Sequence, residues 1–325
     1  MSYLARTTVY APGSIGNLGP GLDVLGCAVE GAGDAVVAEW CDEPGVVLRE
    51  PGHPELPRRA AEHAAGIAAL SVVRHATTLG TTHPARGIAL SVRKGLPLAA
   101  GQGGSAASAV AGALAVNMLL GDPLDRDALL TAALDAESRV AGRHLDNVAP
   151  ALLGGIVLVR SVEPIDLVAI PVPEALWIVL ASPAQSLRTA EARAVLPRDV
   201  SRETAVHQAA QVAAIVAACH SGDLALLGRA IDDRIAEPAR APLLPGFPAA
   251  RRAALAAGAL GVSISGAGPT AFALCGERGV AGEVARAMCA AYEAAGVVAV
   301  ARVARPDRVG ARLEGERHVL PADAL

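Results

Sequence analysis

Residues 87–120, GIALSVRKGLPLAAGQGGSAASAVAGALAVNMLL, carry most of the information about the fold. Gly87–Val92 has the apolar, β-compatible composition of a strand. The glycine-rich loop Lys94–Gly104 follows it, and the alanine-rich segment Ser105–Leu120 predicts a helix that begins directly after the loop. The stretch therefore predicts a strand, a glycine-rich loop and a helix in immediate succession.

The loop in this stretch has the composition of a phosphate cradle. Glycines let backbone N–H groups approach an anion closely, and the start of a helix adds a partial positive charge. Ser105 could add a hydroxyl to phosphate or to Mg²⁺. A Walker loop is excluded, because it requires a lysine after the glycines, whereas Lys94, the only lysine of the chain, precedes them. Taken alone, the same glycines are equally compatible with a flexible connector.

Length and composition favour a globular intracellular protein. The 325 residues are enough for about two domains, and 52% of them are hydrophobic but only 2% aromatic, so the core is expected to be aliphatic. A net charge of −4 gives no general attraction to nucleic acid or to an anionic membrane, so neither is an expected partner. No segment reads as a signal peptide or a membrane span. Five scattered cysteines without metal-type spacing indicate reduced thiols, and the chain is expected to be cytoplasmic.

Strand-like and helix-like segments mix in both halves, which predicts the α+β class. The predicted strands are Thr7–Ala11, Ala35–Trp40, Val46–Arg49, Gly87–Val92, Ile156–Val159, Trp177–Ala181, a strand-turn-strand at Gly261–Cys275, and Val297–Val303. The predicted helices are Arg58–Leu79, Ser105–Leu120, Asp125–Gly142, Arg188–Val195, Glu203–Ser221 and Val280–Ala294. The proline-containing stretch Ser161–Pro173 is interpreted as a crossing between domains, with the boundary near Val162 and domains at 1–162 and 163–325.

Three further segments group small, polar and charged residues. Ala11–Asp23 is a turn-rich segment after the first strand, and Ser263–Thr270 places small residues between two strands. Glu137–Asn147 collects carboxylates and an amide at a helix end, from which they could reach a common pocket. Each segment also has a purely structural interpretation: an elaborate turn, a tight hairpin and a capped helix end, respectively.

Together and in this order, these segments resemble the GHMP kinase superfamily, and within it the homoserine kinase branch, over nearly the whole chain. The phosphate loop of that family, Gly-x-Gly-Ser-Ser-Ala-Ala, is matched by Gly101–Ala107, with Gly104 in place of the first serine. The branch is also similar in shorter segments, which are Asn17–Asp23, His144–Pro150, Thr189–Arg193, Glu237–Arg240 and Ser265–Thr270. Gly104 removes one hydroxyl from the phosphate site but still supplies a backbone N–H.

The resemblance implies a two-domain GHMP kinase fold of the α+β class. An N-terminal α/β half would carry the phosphate loop, a C-terminal half would be ferredoxin-like, and the active site would lie between them. The implied activity is ATP-dependent phosphorylation of the side-chain hydroxyl of homoserine, a step of threonine biosynthesis, with ATP and Mg²⁺ as cofactors and homoserine as the small-molecule partner. Dimers are common in that family, which makes a homodimer one expectation.

Matching the chain to the family motifs, residue by residue, assigns the expected site. The nucleotide phosphates are expected on the loop and helix start, namely Pro97, Leu98, Ala99, Ala100, Gly101, Gln102, Gly103, Gly104, Ser105, Ala106 and Ala107. Mg²⁺ is expected on Ser105 and Glu137. The residues expected to line the substrate are Asn17, Asp23, His144, Asn147, Thr189, Arg193, Arg240 and Gly266.

The chemistry of the substrate set suits a zwitterion. A guanidinium group binds a carboxylate through paired hydrogen bonds, and Asp23 could accept an ammonium group. The catalytic candidates are Glu137, Asp146 and Asn147. Two routes for the proton stay open: transfer to Asp146, or direct loss to the phosphate with Asn147 orienting the hydroxyl.

Two other functions stay open at this point. One is a GHMP kinase for another small alcohol, such as mevalonate or a sugar, although those substrates lack the ammonium group that Asp23 would accept. The other is a ligand-binding regulator without turnover, since a fold does not establish an activity. Gly104 is the sequence feature that supports the regulator, whereas Ser105 and Glu137 oppose it.

Overall fold

The protein is built on two β-sheets, and the computed structural model describes residues 4–81 and 86–314. Within these residues the first sheet has seven strands, which are β1 (Arg6–Gly16), β2 (Leu25–Cys41), β3 (Val46–Glu50), β4 (Gly87–Arg93), β5 (Ile156–Val162), β6 (Ile165–Ile170) and β11 (Arg312–Leu313). Within the same residues the second sheet has four strands, which are β7 (Trp177–Pro183), β8 (Gly261–Ile264), β9 (Ala271–Cys275) and β10 (Ala299–Ala304).

The helices lie between and beside these strands. Those of the first half are α1 (Ala64–Thr78), α2 (Gly104–Leu119), α3 (Arg126–Val140) and α4 (Val148–Leu153). Those of the second half are α5 (Thr189–Ala194), α6 (Arg202–Ser221), α7 (Leu224–Arg229), α8 (Ala236–Arg240), α9 (Phe247–Ala256) and α10 (Arg278–Ala294). Two short 3₁₀ turns, Ala60–Glu62 and Ala241–Leu243, complete the regular structure of the described ranges.

The first sheet is ordered β11-β1-β2-β4-β3, and β5 pairs with the Leu25–Cys27 end of β2. Only β3 and β4 run parallel among the described pairs. The main core cluster of this half, between the sheet and α1, α2 and α3, consists of buried Ala, Val, Leu and Ile. Small alanines on three helices allow the helices to approach closely, as the composition predicts for an aliphatic core.

The second sheet is antiparallel and buried on both faces. Along β7, Ile178 and Leu180 point into a cluster with α6 and α7, whereas Val179 and Ala181 point into a cluster with α9 and α10. This is the period of two that a strand imposes on its side chains. Leu25 at the start of β2 packs into the first of these clusters, so the two halves share a core.

Most predicted elements are present, with shifted ends. The helix predicted over Arg58–Leu79 begins at Ala64, because His63 is extended and its Nδ1 accepts a hydrogen bond from the Ala65 amide at 3.2 Å. The stretch Ser161–Pro173, interpreted as a crossing, instead contains β6, which pairs with β5. The chain therefore changes sheets between Ile170 and Trp177, and the domain boundary near Val162 stays a prediction that falls inside this hairpin.

No helix in the described part of the chain is both long and apolar enough to cross a bilayer.

Candidate active site

A cavity of about 540 Å³ lies where the two halves meet. Its wall is formed by the start of α2 and the loop before it, the turn Asn17–Asp23, the end of α3, the α5 segment, Arg240 at the end of α8, and the β8–β9 turn. Eighteen predicted site residues line it, because the folded chain brings segments from both halves together. They are Pro97, Leu98, Ala99, Ala100, Gly101, Gly103, Gly104, Ser105, Glu137, Asp146, Asn147, Asn17, Asp23, His144, Thr189, Arg193, Arg240 and Gly266.

The phosphate loop requires glycine at two positions. Gly101 and Gly103 have φ angles of 73° and 67°, in the left-handed region. A Cβ atom on Gly101 would come within 2.4 Å of the Ser265 carbonyl oxygen, and one on Gly103 within 2.1 Å of Ser14 Oγ. Gly103 also precedes α2 without a side chain to cap it, so the amides of the first turn are available to an anion in the cavity.

The loop is anchored from behind by the second sheet. Ser265 Oγ donates to the Gly101 carbonyl at 2.6 Å, and the Thr270 amide donates to the Ala100 carbonyl at 3.2 Å. The Gln102 side chain points away from the cavity, and its Nε2 donates to Ser182 Oγ at 2.8 Å. These bonds fix the loop against the second half of the chain, which contributes Thr189, Arg193, Arg240 and Gly266 to the cavity wall.

Three of the residues expected on the phosphates do not line the cavity. Gln102 is turned toward the second sheet, as described, because its amide finds buried hydroxyl partners there. Ala106 and Ala107 are fully buried in the core of the first half, because they face the interior side of α2. These three side chains lie outside the cavity, and contact with phosphate stays a prediction for the other residues of the set.

A buried ion pair lies beneath the loop and was not predicted from the sequence. Lys94 Nζ contacts Asp34 Oδ2, and it also donates to the Gly104 carbonyl at 3.0 Å and to Ser108 Oγ at 3.1 Å. The other oxygen of Asp34 accepts from the Gly95 amide at 3.1 Å. The side chains of Lys94 and Asp34 are only 7% and 0% exposed, so each charge is compensated by the other and by these hydrogen bonds. The feature of the sequence that could have indicated this pair is the position of Lys94, the only lysine of the chain, at the start of the glycine-rich loop.

Ser105 and Glu137 are adjacent at the cavity. Ser105 Oγ donates to Glu137 Oε2 at 2.8 Å, and burial raises the pKa of Glu137 to about 7. No cluster of three or more His, Cys, Asp or Glu residues suited to a metal occurs within residues 4–81 and 86–314. The pair nevertheless offers two hard oxygens beside the phosphate loop, which fits Mg²⁺, an ion that is usually held by one or two protein oxygens together with phosphates and water.

Asp146 and Asn147 precede α4 and face the same part of the cavity. The Asn17 amide donates to Asp146 Oδ2 at 3.1 Å, and Ser14 Oγ donates to Asn147 Oδ1 at 2.9 Å. Burial, reinforced by the negative charge of Asp23, raises the pKa of Asp146 to about 7, although the Asn17 hydrogen bond opposes the shift. A carboxyl group with this pKa can exchange a proton near neutral pH.

Asp23 and Arg193 place opposite charges side by side. Arg193 Nη2 donates to Asp23 Oδ1 at 2.6 Å and Nη1 donates to Oδ2 at 3.3 Å. His144 Nδ1 lies 3.3 Å from Asp23 Oδ1, and burial lowers the pKa of this histidine. The neutral imidazole is therefore favoured next to the arginine.

Arg240 is a buried arginine held by backbone carbonyls. Its side chain reaches the cavity from the end of α8, and its Nε donates to the Ala192 carbonyl at 3.2 Å and its Nη1 to the Gly266 carbonyl at 2.8 Å. The Gly266 carbonyl also accepts from Asn17 Nδ2 at 3.2 Å. One carbonyl thus joins Asn17 and Arg240 across the cavity.

Sequence reasoning missed a further part of the wall. The segment before α1 contributes Glu55, Leu56, Pro57, Glu62 and His63 to the cavity lining. These residues form no motif, and only the folding of α1 against α2 brings them near the phosphate loop.

Comparison with known proteins supports the family resemblance over most of the chain. The GHMP kinases N terminal domain matches residues 64–155, and the GHMP kinases C terminal domain matches residues 215–294. The chain is 42% identical over 316 residues to a protein named homoserine kinase from Arabidopsis thaliana, and the match covers 94% of this chain and 83% of that protein.

Solved structures are similar as well. A crystal structure of homoserine kinase from Cytophaga hutchinsonii superimposes with a TM-score of 0.90 at 38% identity, covering 96% of this chain and 98% of that one. The mevalonate kinase of L. major superimposes with a TM-score of 0.67 at 16% identity, covering 93% of this chain and 97% of that one, and so shares the fold.

Proposed function

The chain belongs to the GHMP kinase family, in its homoserine kinase branch, and we propose that it transfers the γ-phosphoryl group of ATP to the side-chain hydroxyl of L-homoserine. As a member of this family it is a kinase that uses ATP. The two-domain α+β fold expected from the sequence is confirmed.

One observation carries the choice of substrate class. The cavity that contains the phosphate loop also contains a carboxylate and a guanidinium in direct contact, Asp23 and Arg193, with Arg240 beside them. An α-amino acid carries its ammonium and carboxylate groups on neighbouring atoms, so its site needs an anion and a cation side by side. Mevalonate and simple sugars lack the ammonium group and therefore offer Asp23 no cation of their own to bind.

The nucleotide side of the site acts by positioning. The amides at the start of α2 and the backbone of Gly101–Ser105 would hold the phosphates, and Ser105 Oγ and the Glu137 carboxylate would hold Mg²⁺. When bound, this cation neutralises charge on the transferring phosphoryl group. Phosphoryl transfer asks little covalent chemistry of the protein, so placement of the two substrates is its main contribution.

The acceptor side would bind homoserine by both of its charges. Asp23 accepts the ammonium group, and Arg193 and Arg240 donate to the carboxylate. His144 and Thr189 complete the wall on this side. The hydroxyl of the bound substrate then extends toward the phosphate loop.

Asp146 and Asn147 would handle the hydroxyl group. Their polar ends lie close together, since a Cβ placed on Gly16 would be 2.6 Å from Asp146 Oδ2 and 2.5 Å from Asn147 Nδ2. Asn147 orients the hydroxyl and Asp146 takes its proton while the oxygen bonds to the γ-phosphorus and the bond to the ADP oxygen breaks. A pKa of Asp146 near 7 matches the requirement for a general base at neutral pH.

A coupled assay of ADP release tests the proposal. Homoserine, mevalonate, galactose and threonine are each supplied with ATP and Mg²⁺, and we expect turnover with homoserine well above the other three. Preferred turnover of mevalonate or galactose would assign the chain to another small alcohol. ATP binding without ADP release on any of the four would favour a regulator without turnover, of which Gly104 is the supporting feature.

We also propose that the protein works in the cytoplasm with its thiols reduced. All five cysteines are free, and Cys27, Cys41, Cys219 and Cys275 are buried. A homodimer stays a prediction, which light scattering on the purified chain would test.

A further inference from the structure

We propose that Gln208, a residue outside the cavity, is a positioning residue that holds two walls of the homoserine site at a fixed separation. This inference rests on the proposed function, because it names the residue that sets the geometry of the acceptor side. Gln208 lies on α6, 188 positions from Pro20 and 25 positions from Asp233, and is 8% exposed.

Every polar atom of the Gln208 side chain has a partner. Its Nε2 donates to the Pro20 carbonyl at 2.9 Å and to Asp233 Oδ1 at 2.7 Å, and its Oε1 accepts from the Arg234 amide at 3.2 Å. A primary amide supplies two donors and an acceptor on one rigid plane, which is the set these three partners need. A buried side chain that satisfies three groups on two segments constrains their separation.

The first partner belongs to the substrate turn. Pro20 lies inside the segment Asn17–Asp23, whose end residues Asn17 and Asp23 have φ angles of 69° and 62°. Asn and Asp enter this left-handed region more readily than other residues with a side chain, but Leu18 in the same turn has a φ angle of 43°, which a leucine adopts only where surrounding contacts hold it. The hydrogen bond from Gln208 to the middle of the turn is one such contact, and the turn presents Asp23 to the cavity.

The other partners belong to the start of α8. Asp233 Oδ2 accepts from the Glu237 amide at 2.8 Å, and Asp233 Oδ1 accepts from the Ile235 amide at 2.8 Å, so the Asp233 carboxylate binds free amides at the start of this short helix. The helix ends at Arg240, which reaches the cavity. Gln208 thus acts on the helix that carries one of the two arginines proposed to bind the carboxylate.

The two walls meet again at the cavity. Asn17 from the turn and Arg240 from α8 both donate to the Gly266 carbonyl, at 3.2 Å and 2.8 Å. The walls are therefore joined on the cavity side by Gly266 and on the outer side by Gln208. The hydrogen bonds that anchor the phosphate loop involve other residues, such as Ser265 and Thr270, so loss of the Gln208 bonds should affect homoserine and spare ATP.

Gln208→Met tests this role, because methionine keeps the length and lack of branching of glutamine and removes its polar atoms. Gln211→Met, three residues later on the same helix, is the matched control, because the Gln211 side chain makes no hydrogen bond to any described residue. Steady-state kinetics of the full chain are measured for homoserine at saturating ATP and for ATP at saturating homoserine. Amide hydrogen exchange is measured on the protein without substrates.

For Gln208→Met we expect the KM for homoserine to rise about tenfold, as one to two lost buried hydrogen bonds imply, with the KM for ATP within about twofold of the parent. Exchange should accelerate in residues 17–23 and 235–240 and stay unchanged in residues 95–105. Gln211→Met should match the parent in every measurement. If Gln208→Met gives no folded protein, Gln208→Asn, with an amide one carbon shorter, is measured in the same way and is expected to change in the same direction.

Two results would overturn the inference. One is an unchanged KM for homoserine together with unchanged exchange in both segments. The other is an equal rise in both KM values with a lower melting temperature, which indicates a general loss of packing. If the parent itself releases no ADP with homoserine, the proposed function fails, and the exchange pattern alone then decides whether Gln208 holds the two walls.

Discussion

Replacement of Asp146 by asparagine should stabilise the folded protein and impair its turnover. Burial raises the pKa of Asp146 from 3.8 to about 7. Between these values the folded state binds more protons than the unfolded state, so this carboxyl lowers stability as the pH rises from about 4 to about 7. At ~1.4 kcal/mol for each pH unit, the buried carboxyl lowers the free energy of unfolding by about 4 kcal/mol above pH 7 and by about 1–2 kcal/mol at pH 5.

Urea unfolding of the parent and of Asp146→Asn at pH 5 and pH 8 measures this effect. The unfolding free energy of the variant minus that of the parent should be about 3 kcal/mol larger at pH 8 than at pH 5. Any pH-independent cost of burying the new amide cancels in that comparison, and its carbonyl can still accept from the Asn17 amide. Asp199→Asn, at an exposed position, is the control and should show no such gain.

The same variant tests the proposed base. General base catalysis contributes about 100-fold or more, so kcat for homoserine should fall by at least that factor at saturating substrates. A variant whose advantage in unfolding free energy is the same at pH 5 and pH 8 would refute the electrostatic argument. A kcat within tenfold of the parent would refute the assignment of the base.

Three further predictions concern the site. Glu137→Gln should keep the fold but lose Mg²⁺-dependent turnover, because an amide is a poor ligand for this cation, and parent-like rates at every Mg²⁺ concentration would contradict the metal assignment. Gly104→Ser should leave the KM for ATP unchanged or lower it, since the nearest atom to the new Cβ would be Lys94 Nζ at 3.3 Å, and Leu96 and the Pro97 carbonyl would be at ordinary contact distance. A large rise would show that the loop needs glycine there. Arg193→Ala and Arg240→Ala should each lower kcat/KM for homoserine about 10- to 100-fold and discriminate less against a homoserine ester. Only Arg240→Ala should also lower the melting temperature, because it removes a buried side chain that donates to the Ala192 and Gly266 carbonyls. Full discrimination against the ester by both variants would refute the proposal that the two arginines bind the substrate carboxylate.

The sequence alone predicted the elements whose signals are local. The helix after the phosphate loop was predicted from Ser105 and begins at Gly104, and the helix predicted from Asp125 begins at Arg126, with Asp125 as its cap. Glycine punctuation and capping residues act within a few positions, so they are visible without tertiary contacts. The family motifs predicted which residues form the site, and all but three of these residues line the cavity.

Two strands that form by pairing with another strand were not predicted. β6 lies inside the proline-containing stretch Ser161–Pro173 and forms a hairpin with the preceding strand, β5. The two residues of β11 form a strand because β1 offers an edge about 300 positions away. A strand of two residues, such as β11, has no periodic sequence signal of its own.

The sequence by itself therefore determined the class of fold, the phosphate loop and the chemical types gathered for an amino-acid substrate. Only the tertiary structure decided how those groups are held. The contact of Lys94 with Asp34 under the loop, the pairing of Arg193 with Asp23, and the three hydrogen bonds of Gln208 all join residues far apart in the chain. The physical reason is that a buried polar group must find its partner among whatever the packing of the core brings within hydrogen-bond distance, and that packing is a property of the whole chain.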